Sequence, residues 1–463
     1  MCIPFKSASH KSLLFVAISF FALTWFSCKK NDPKPSLKGI TSFTLLRDSN
    51  VLVQSVNVIK GDSLIITVPG TISIHGLKTQ IGLASGASIS PASGVSEDFT
   101  QPITYTVTLS DGSIKDYIVK VVPDKLKNIV YVGTSNGAFY ALDAKTGNSL
   151  WTKQTGGNFY YSSPALAGGV IYAGNTDGKM YAYTAGPGEL VWSYQTGSSI
   201  ESSPAVSDGN VYFGSDDHYF YAVNAKTGLL SWRFLTGFNV SSSPLVYNGV
   251  VYFGSDDNNF YALDANSGSF KWKYSSSSIF NASSPVELNG IIYIGNRDGN
   301  FYALDAATGQ PKWTINPDGT SLEMARPVIV NGIIYVASWY KVSNFNMPGS
   351  LYAVNAETGA LIWTVLPGTG FSSGPDAADG KLFISADGGN FYALDQKTGN
   401  ILWNHQIYPN GALPTVKNGV AFVGGGGSGY FYAFDENDGT IKWKVKITGL
   451  DTSKPYVIDA NGN

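Results

Sequence analysis

The sequence predicts an all-β protein: an eight-bladed β-propeller closed by its C-terminal strand, preceded by a small β-sandwich. Three observations predict it. A twelve-residue motif ending in tryptophan recurs, with Trp151, Trp192, Trp232, Trp272, Trp313, Trp363, Trp403 and Trp443 at its ends. Successive tryptophans stand 41, 40, 40, 41, 50, 40 and 40 residues apart, and a period near 40 accommodates four short strands with their turns. The composition agrees, because 52 Gly, 27 Tyr and 25 Phe with only 14% charged residues suit tight turns around a large apolar core and exclude disorder. A net charge of −2 excludes a general polyanion-binding surface, so no nucleic-acid partner is implied.

Taken in chain order, the first element is an address. Lys6, His10 and Lys11 precede an apolar run over residues 13–26, which suits a signal segment and is short for a membrane-spanning helix. The run stops at Ser27-Cys28-Lys29-Lys30. This resembles a bacterial lipoprotein signal, in which the cysteine after a small residue is lipidated. Trp25 stands where that family usually has Leu, and an ordinary secretory signal with an incidental cysteine is the alternative. Residue 29 is Lys rather than the Asp that tends to hold such lipoproteins at an inner membrane. The expectation is therefore a signal peptide over 1–27, a lipid-anchored, Pro-stiffened tether over 28–36, and an outer-membrane location, periplasmic or surface-exposed.

The second element spans residues 37–123. Residues 64–68, 104–109 and 117–122 read as strands, with Asp111-Gly112 as the hairpin turn between the last two. About 85 residues with several such strands suggest a sandwich. The stretch from Gly86-Ala87 through Pro91, Ser93-Gly94 and Asp98-Phe99 to Tyr105, Asp111-Gly112 and Tyr117 resembles the immunoglobulin-like modules at the base of bacterial surface lipoproteins. The module is expected to work as a spacer, with glycan binding as the alternative, for which no exposed aromatic cluster argues.

The third element, residues 124–463, carries the repeat. All eight copies keep Tyr-Ala at the start and Gly four residues before Trp. The copy over 181–192 is the weakest, with Thr184 where the others have Asp or Asn. Pro164, Pro204, Pro244 and Pro285 each follow Ser and precede a tryptophan by 28 residues. Each unit then reads as an inner strand after Pro, a second strand, a third at Tyr-Ala and a fourth at Trp. The motif resembles the pyrroloquinoline quinone (PQQ)-type propeller repeat, Ala-x-Asp-x-x-x-Gly-x-x-x-Trp. The glycine permits a left-handed turn, and the eight tryptophans fill gaps between blades as structural docking residues. Residues 454–463 match an inner strand and its turn, so they are expected to complete the first blade beside residues 129–133. Pro123, also 28 residues before Trp151, offers a rival inner strand.

Function is expected on one face. The Thr-Gly turns before each Trp are nearly invariant and lie opposite the loops that vary. The variable loops carry the candidate binding residues Tyr160, Tyr161, Glu201, Phe238, Asn239, Phe280, Asn281, Glu323, Arg326, Phe371 and Tyr408. About eight extra residues in the sixth unit add Trp339 and Tyr340. Trp339 either pins its own loop or meets a ligand. Asp177, Asp216-Asp217, Asp256-Asp257, Asp298 and Asp387 read as turn formers, with calcium as the alternative. Glu201, Glu323 and Arg326 read as a solvated rim or an ion pair, with a coordinating role as the alternative. Cys2 and Cys28 are the only cysteines, and His75, His218 and His405 are scattered. No catalytic residue and no metal site is therefore assigned.

The lipid anchor and eightfold repeat resemble the BamB-type lipoproteins of outer-membrane β-barrel assembly, and the inserted sandwich departs from that type. This resemblance implies a non-enzymatic envelope scaffold, anchored in the membrane, whose propeller face binds a protein or glycan, without a cofactor. The alternative is a PQQ-dependent dehydrogenase using calcium and PQQ in the channel. Such enzymes are similar in repeat and blade number, but they often carry an adjacent cysteine pair that this chain lacks.

Overall fold

The computed structural model describes residues 37–462, apart from 48–49, 54–57, 61, 160, 323, 342–343, 366–369, 372, 410 and 450–452. The signal, the tether and Cys28 lie outside the described residues, as do Tyr160 and Glu323. Among the described residues, no helix is long and apolar enough to cross a membrane.

Residues 40–123 form two facing sheets. One has the strand order Asn50–Val53, Ile40–Arg47, Leu77–Leu83, Ser96–Glu97. The other runs Val58–Lys60, Ser63–Val68, Ile114–Pro123, Ile103–Thr108, Ser88–Ser90. Alternating residues point inward, and Phe43, Leu45, Leu64, Ile66, Leu77, Tyr105, Val107 and Val119 make the shared core. Asp111 and Gly112 form the hairpin turn, with Leu109 N–H donating to Ser113 O and Gly112 at φ 79°. Pro123 ends the last sandwich strand, paired in parallel with Val68. It is not an inner propeller strand, and the rival closure falls with it.

From Ile129 onward, the described residues form eight four-stranded antiparallel sheets. Blade one combines Tyr456–Ile458 with Ile129–Gly133, Ala138–Asp143 and Ser149–Gln154. Its register pairs are Ile129 with Ile458, Val130 with Val457 and Tyr131 with Tyr456, so the closure expected from the C-terminal strand is present. Blade two is Ala165–Ala167, Val170–Gly174, Lys179–Thr184 and Leu190–Gln195. The later blades repeat this order. Among the described residues, only blade six inserts a hairpin, Tyr340–Lys341 with Asn344–Pro348, which forms a separate two-stranded sheet.

The recurring motif is a clamp between blades. In every blade the third and fourth strands slip register just after the motif alanine, as between Ala222 and Val223. That bulge re-aims the tryptophan opposite the alanine. Trp232 Nε1–H then donates to Ala265 O of the next blade at 3.0 Å, and Tyr212 OH donates to the same oxygen at 3.0 Å. The pair recurs on Ala225, Ala306 and Ala356. Gly268, at φ 70°, lies flat on Trp232; a Cβ there would come within 2.6 Å of the indole. The motif glycine therefore serves twice, as a left-handed turn and as a platform for the neighbouring tryptophan. The last link, Trp443 Nε1–H to Ala144 O at 2.9 Å, joins blade eight to blade one.

Candidate binding face

Since the clamps occupy the face of the Thr-Gly turns, the loops that enter the inner strands and those joining the second and third strands share the opposite, upper face. Three of the aspartates there are structural. Asp217 accepts from Tyr221 OH at 2.7 Å, Gly197 N–H at 2.7 Å and Tyr219 N–H at 3.1 Å. Asp257 repeats the arrangement with Tyr261, Gly237 and Asn259, and Asp177 with Tyr181 and Lys179. Turn formation is thus their observed role. Among the described residues, no three His, Cys, Asp or Glu side chains are grouped to hold a metal ion.

Two of the expected face residues are not on the surface. Phe280 is 0% and Phe371 3% exposed, which removes both from contact with any ligand. Phe280 packs with Phe260 and Tyr302 between blades four and five, and Phe371 joins the core between blades six and seven. They belong to a ring of apolar plugs that includes Phe159, Ile200, Val240 and Leu322, all buried. Each plug presses on the end of a second strand. A Cβ on Gly254 would lie 2.4 Å from Phe280 Cβ, and one on Gly214 would lie 2.2 Å from Val240 O.

Other expected residues do reach solvent. Phe238 is 51% exposed and stacks on His218, with ring centroids 5.2 Å apart. Leu235, exposed, and Tyr219, under Arg233, extend this apolar patch on blade three. Tyr408 is 50% exposed at φ 53°. Asn239 and Asn281 are half-buried, and Asn239 O accepts from Ser255 Oγ and Asp256 N–H. Trp339 and Tyr340 are half-buried and meet edge-to-face at 4.3 Å. Trp339 N–H donates to Ser321 O while its carbonyl accepts from Gly349 N–H, so its backbone ties the inserted hairpin to the blade.

The channel mouth holds what sequence reasoning could not place. Arg326 precedes the inner strand Val328–Val330 of blade six, yet its Nη2–H donates to Tyr161 O at 3.1 Å and its Nη1–H to Ser163 Oγ at 3.3 Å. Those residues enter blade two, four blades away, so the guanidinium reaches across the axis. The serines before the prolines form a ladder from blade to blade. Ser163 N–H donates to Ser203 Oγ at 2.9 Å and Ser203 N–H to Ser243 Oγ at 3.0 Å. Glu201 sits nearby, and burial, then the Asp216 and Asp256 carboxylates, push its carboxyl up to about 7. Burial also raises Asp216, which accepts from Ser241 Oγ at 3.2 Å.

This fixes a pH dependence. The folded chain keeps the Glu201 proton to about pH 7, whereas the unfolded chain loses it near 4.5. Stability therefore falls as pH rises through that interval. Glu201→Gln is expected to stabilise the protein by about 1–2 kcal/mol at pH 8, after discounting for partial solvent screening, and to give no such gain at pH 4.5. Urea midpoints of both proteins at the two pH values check this, and equal midpoints at pH 8 would refute it.

Comparison with solved structures gives the fold. BamB from Moraxella catarrhalis matches with a TM-score of 0.54 at 20% identity, covering 65% of this chain and 95% of that one. A europium-containing methanol dehydrogenase matches with a TM-score of 0.55 at 16% identity, covering 66% and 80%. A quinohemoprotein alcohol dehydrogenase from Pseudomonas putida HK5 gives 0.53 at 16%, covering 66% and 69%. No curated protein sequence matches the chain. The family described as "SGBP, N-terminal" matches residues 40–121. The family described as "Outer membrane protein assembly factor BamB" matches residues 121–207, 159–284, 197–349 and 347–457 in overlapping segments. With its clamped four-stranded repeats matched by that family from residue 121 to 457, the chain belongs to the BamB-like, PQQ-type propeller family.

Proposed function

We propose that this protein is a non-enzymatic scaffold of the outer membrane, lipid-anchored at Cys28, which binds a protein partner through the upper propeller face. The observation that carries the reading is the pair of exposed aromatics on the upper loops. On the lower face the tryptophans, tyrosines and glycines are taken up by inter-blade clamps. The upper face leaves Phe238 and Tyr408 half-exposed on loops, and exposed aromatics are the side chains most used as anchors at protein interfaces.

The sandwich suits a spacer. Tyr117 OH donates to Lys38 O, and Gly39 packs on Leu109, so the sandwich begins beside the 109–113 hairpin. It leaves at Pro123, at the other end of the ten-residue strand Ile114–Pro123, about 30 Å away. The dehydrogenase reading has less support. PQQ would be held there with calcium, and among the described residues no three His, Cys, Asp or Glu side chains are grouped to hold a metal ion. These residues do not fit it.

The test is site-specific photocrosslinking in cells from positions 238 and 408. The expected result is a crosslink to an outer-membrane β-barrel assembly protein that is lost in Cys28→Ser, which should also leave the membrane fraction. Retention by polysaccharide gels without a protein crosslink would replace this reading with glycan binding. Stoichiometric PQQ uptake with dye-linked turnover would replace it with the dehydrogenase.

A further inference from the structure

The weakest copy of the repeat has a structural explanation. In the other seven copies, the residue two after the motif Asp or Asn bears a side chain: Lys145, Lys226, Asn266, Ala307, Glu357, Lys397 and Asn437. Blade two has Gly186. Its neighbours differ too. Where Asp143 accepts from Lys145 N–H, Thr146 N–H and Thr146 Oγ–H, blade two has Thr184, whose hydroxyl instead accepts from Glu189 N–H, followed by Pro187. The turn has given up the Asp or Asn side-chain cap found in its counterparts.

Gly186 is not required by its backbone, because its φ lies outside the left-handed region, unlike Gly188 at φ 70°. It is required by clearance. A Cβ at Gly186 would sit 2.0 Å from Gly70 O and 3.3 Å from Leu126 Cδ2. Gly70 belongs to the sandwich and is equally confined, since a Cβ there would lie 2.3 Å from Asp124 O and 3.1 Å from Leu126 Cδ2. Leu126 packs against the core shared by blades one and two, which includes Ile129, Tyr131 and Ala185. The linker is also held at both ends. Asp124 N–H donates to Val68 O in the sandwich, and Asn128 N–H donates to Asp459 O in the propeller.

We infer that the aberrant turn of blade two is a built docking seat for the chain's own sandwich, so that sandwich and propeller move as one rigid body. Backbone meets backbone at Gly70 and Gly186, and Leu126 wedges the seam between blades one and two. This turn lies on the clamp face. The seat therefore holds the sandwich on the side away from the loops bearing Phe238 and Tyr408, whatever those loops bind. The inference does not depend on the partner reading: a crosslink from position 238 is silent about the junction, and the junction can be measured with no partner present.

The exposed Lys125 and Lys127 in the linker provide the test. Gly186→Glu introduces the residue that blade six carries at Glu357 without adding a tryptic site. Ala307→Glu makes the same change in blade five and serves as the control. Limited trypsinolysis followed by mass spectrometry is expected to show cleavage at Lys125 and Lys127 at least tenfold faster in Gly186→Glu than in wild type or Ala307→Glu. The propeller should still melt cooperatively, because the Gly186 carbonyl that accepts from Trp151 Nε1–H is kept in the variant. Equal cleavage rates in all three proteins would overturn the inference. Should Gly186→Glu fail to fold, small-angle X-ray scattering of the wild-type protein decides the matter. One fixed shape is expected, and a broad distribution of maximum dimensions would refute the rigid junction.

Discussion

Deleting residues 452–463 is expected to abolish cooperative folding of the propeller. The deletion takes out Tyr456–Ile458, the inner strand of blade one. It also removes Ser453, whose hydroxyl accepts from Gly133 N–H at 2.9 Å and whose own N–H donates back to Gly133 O at 2.9 Å. Asn128 N–H loses Asp459 O, and Thr415 Oγ–H loses Pro455 O. Each hydrogen bond contributes about 1 kcal/mol net, and burial of Ile458, 2% exposed, adds about 2 kcal/mol. Together these approach the whole stability of a typical domain, about 5–15 kcal/mol. The cut also bares the backbone of Ile129–Gly133 as an open sheet edge. Deleting residues 343–347 should cost far less, because that hairpin contributes no strand to a blade sheet. Thermal melting and limited proteolysis compare the two. A C-terminal deletion that melts like wild type would mean that this strand does not hold the ring.

Trp232→Ala should be the most damaging single substitution at a clamp, costing about 3–5 kcal/mol. The indole fills the space between Tyr212, Phe220 and Gly268, with ring centroids 5.9 Å and 6.0 Å away. Its loss leaves a cavity that two sheets fixed by their own ladders cannot close, and it removes one of two donors to Ala265 O. Tyr212→Phe removes only the other donor and should cost about 1 kcal/mol. A double-mutant cycle read by denaturant midpoints is expected to show coupling, since both donors share one acceptor. A Trp232→Ala loss below that of Tyr212→Phe would mean the tryptophan is not the clamp.

The propeller was legible because its determinants repeat. Trp232, its platform glycine and the alanine opposite it are local in sequence and recur at fixed spacing, so the clamp can be read before any contact is known. Phe280 and Phe371 were misplaced because they sit in loops of variable length, where an aromatic looks like a surface anchor. The missed signal was recurrence: Phe159, Ile200, Val240, Phe280, Leu322 and Phe371 are each apolar four or five residues before a proline. An apolar position that recurs at this spacing in copy after copy marks a core. Phe238 differs because its copies hold no such rule. Arg326 was legible as a face residue, but its partners were not, as they lie 163 and 165 positions away on the opposite blade. No periodicity encodes a contact across the axis. The junction was half legible. Thr184 marked blade two as odd, but its cause, the carbonyl of Gly70, lies in another module.

The bond between Gly133 and Ser453 spans 320 positions, and this sets a timetable for synthesis. At about 5–20 residues per second, roughly 15–60 s separate the emergence of the two partners from the ribosome. Blades two to eight each complete from a contiguous stretch as it appears. Blade one must wait as three strands, with Val130 and Tyr131 unmatched, until all the others have been made. A nascent chain stalled between Lys446 and Tyr456 therefore carries one unfinished blade, blade one, with its open edge still to be covered.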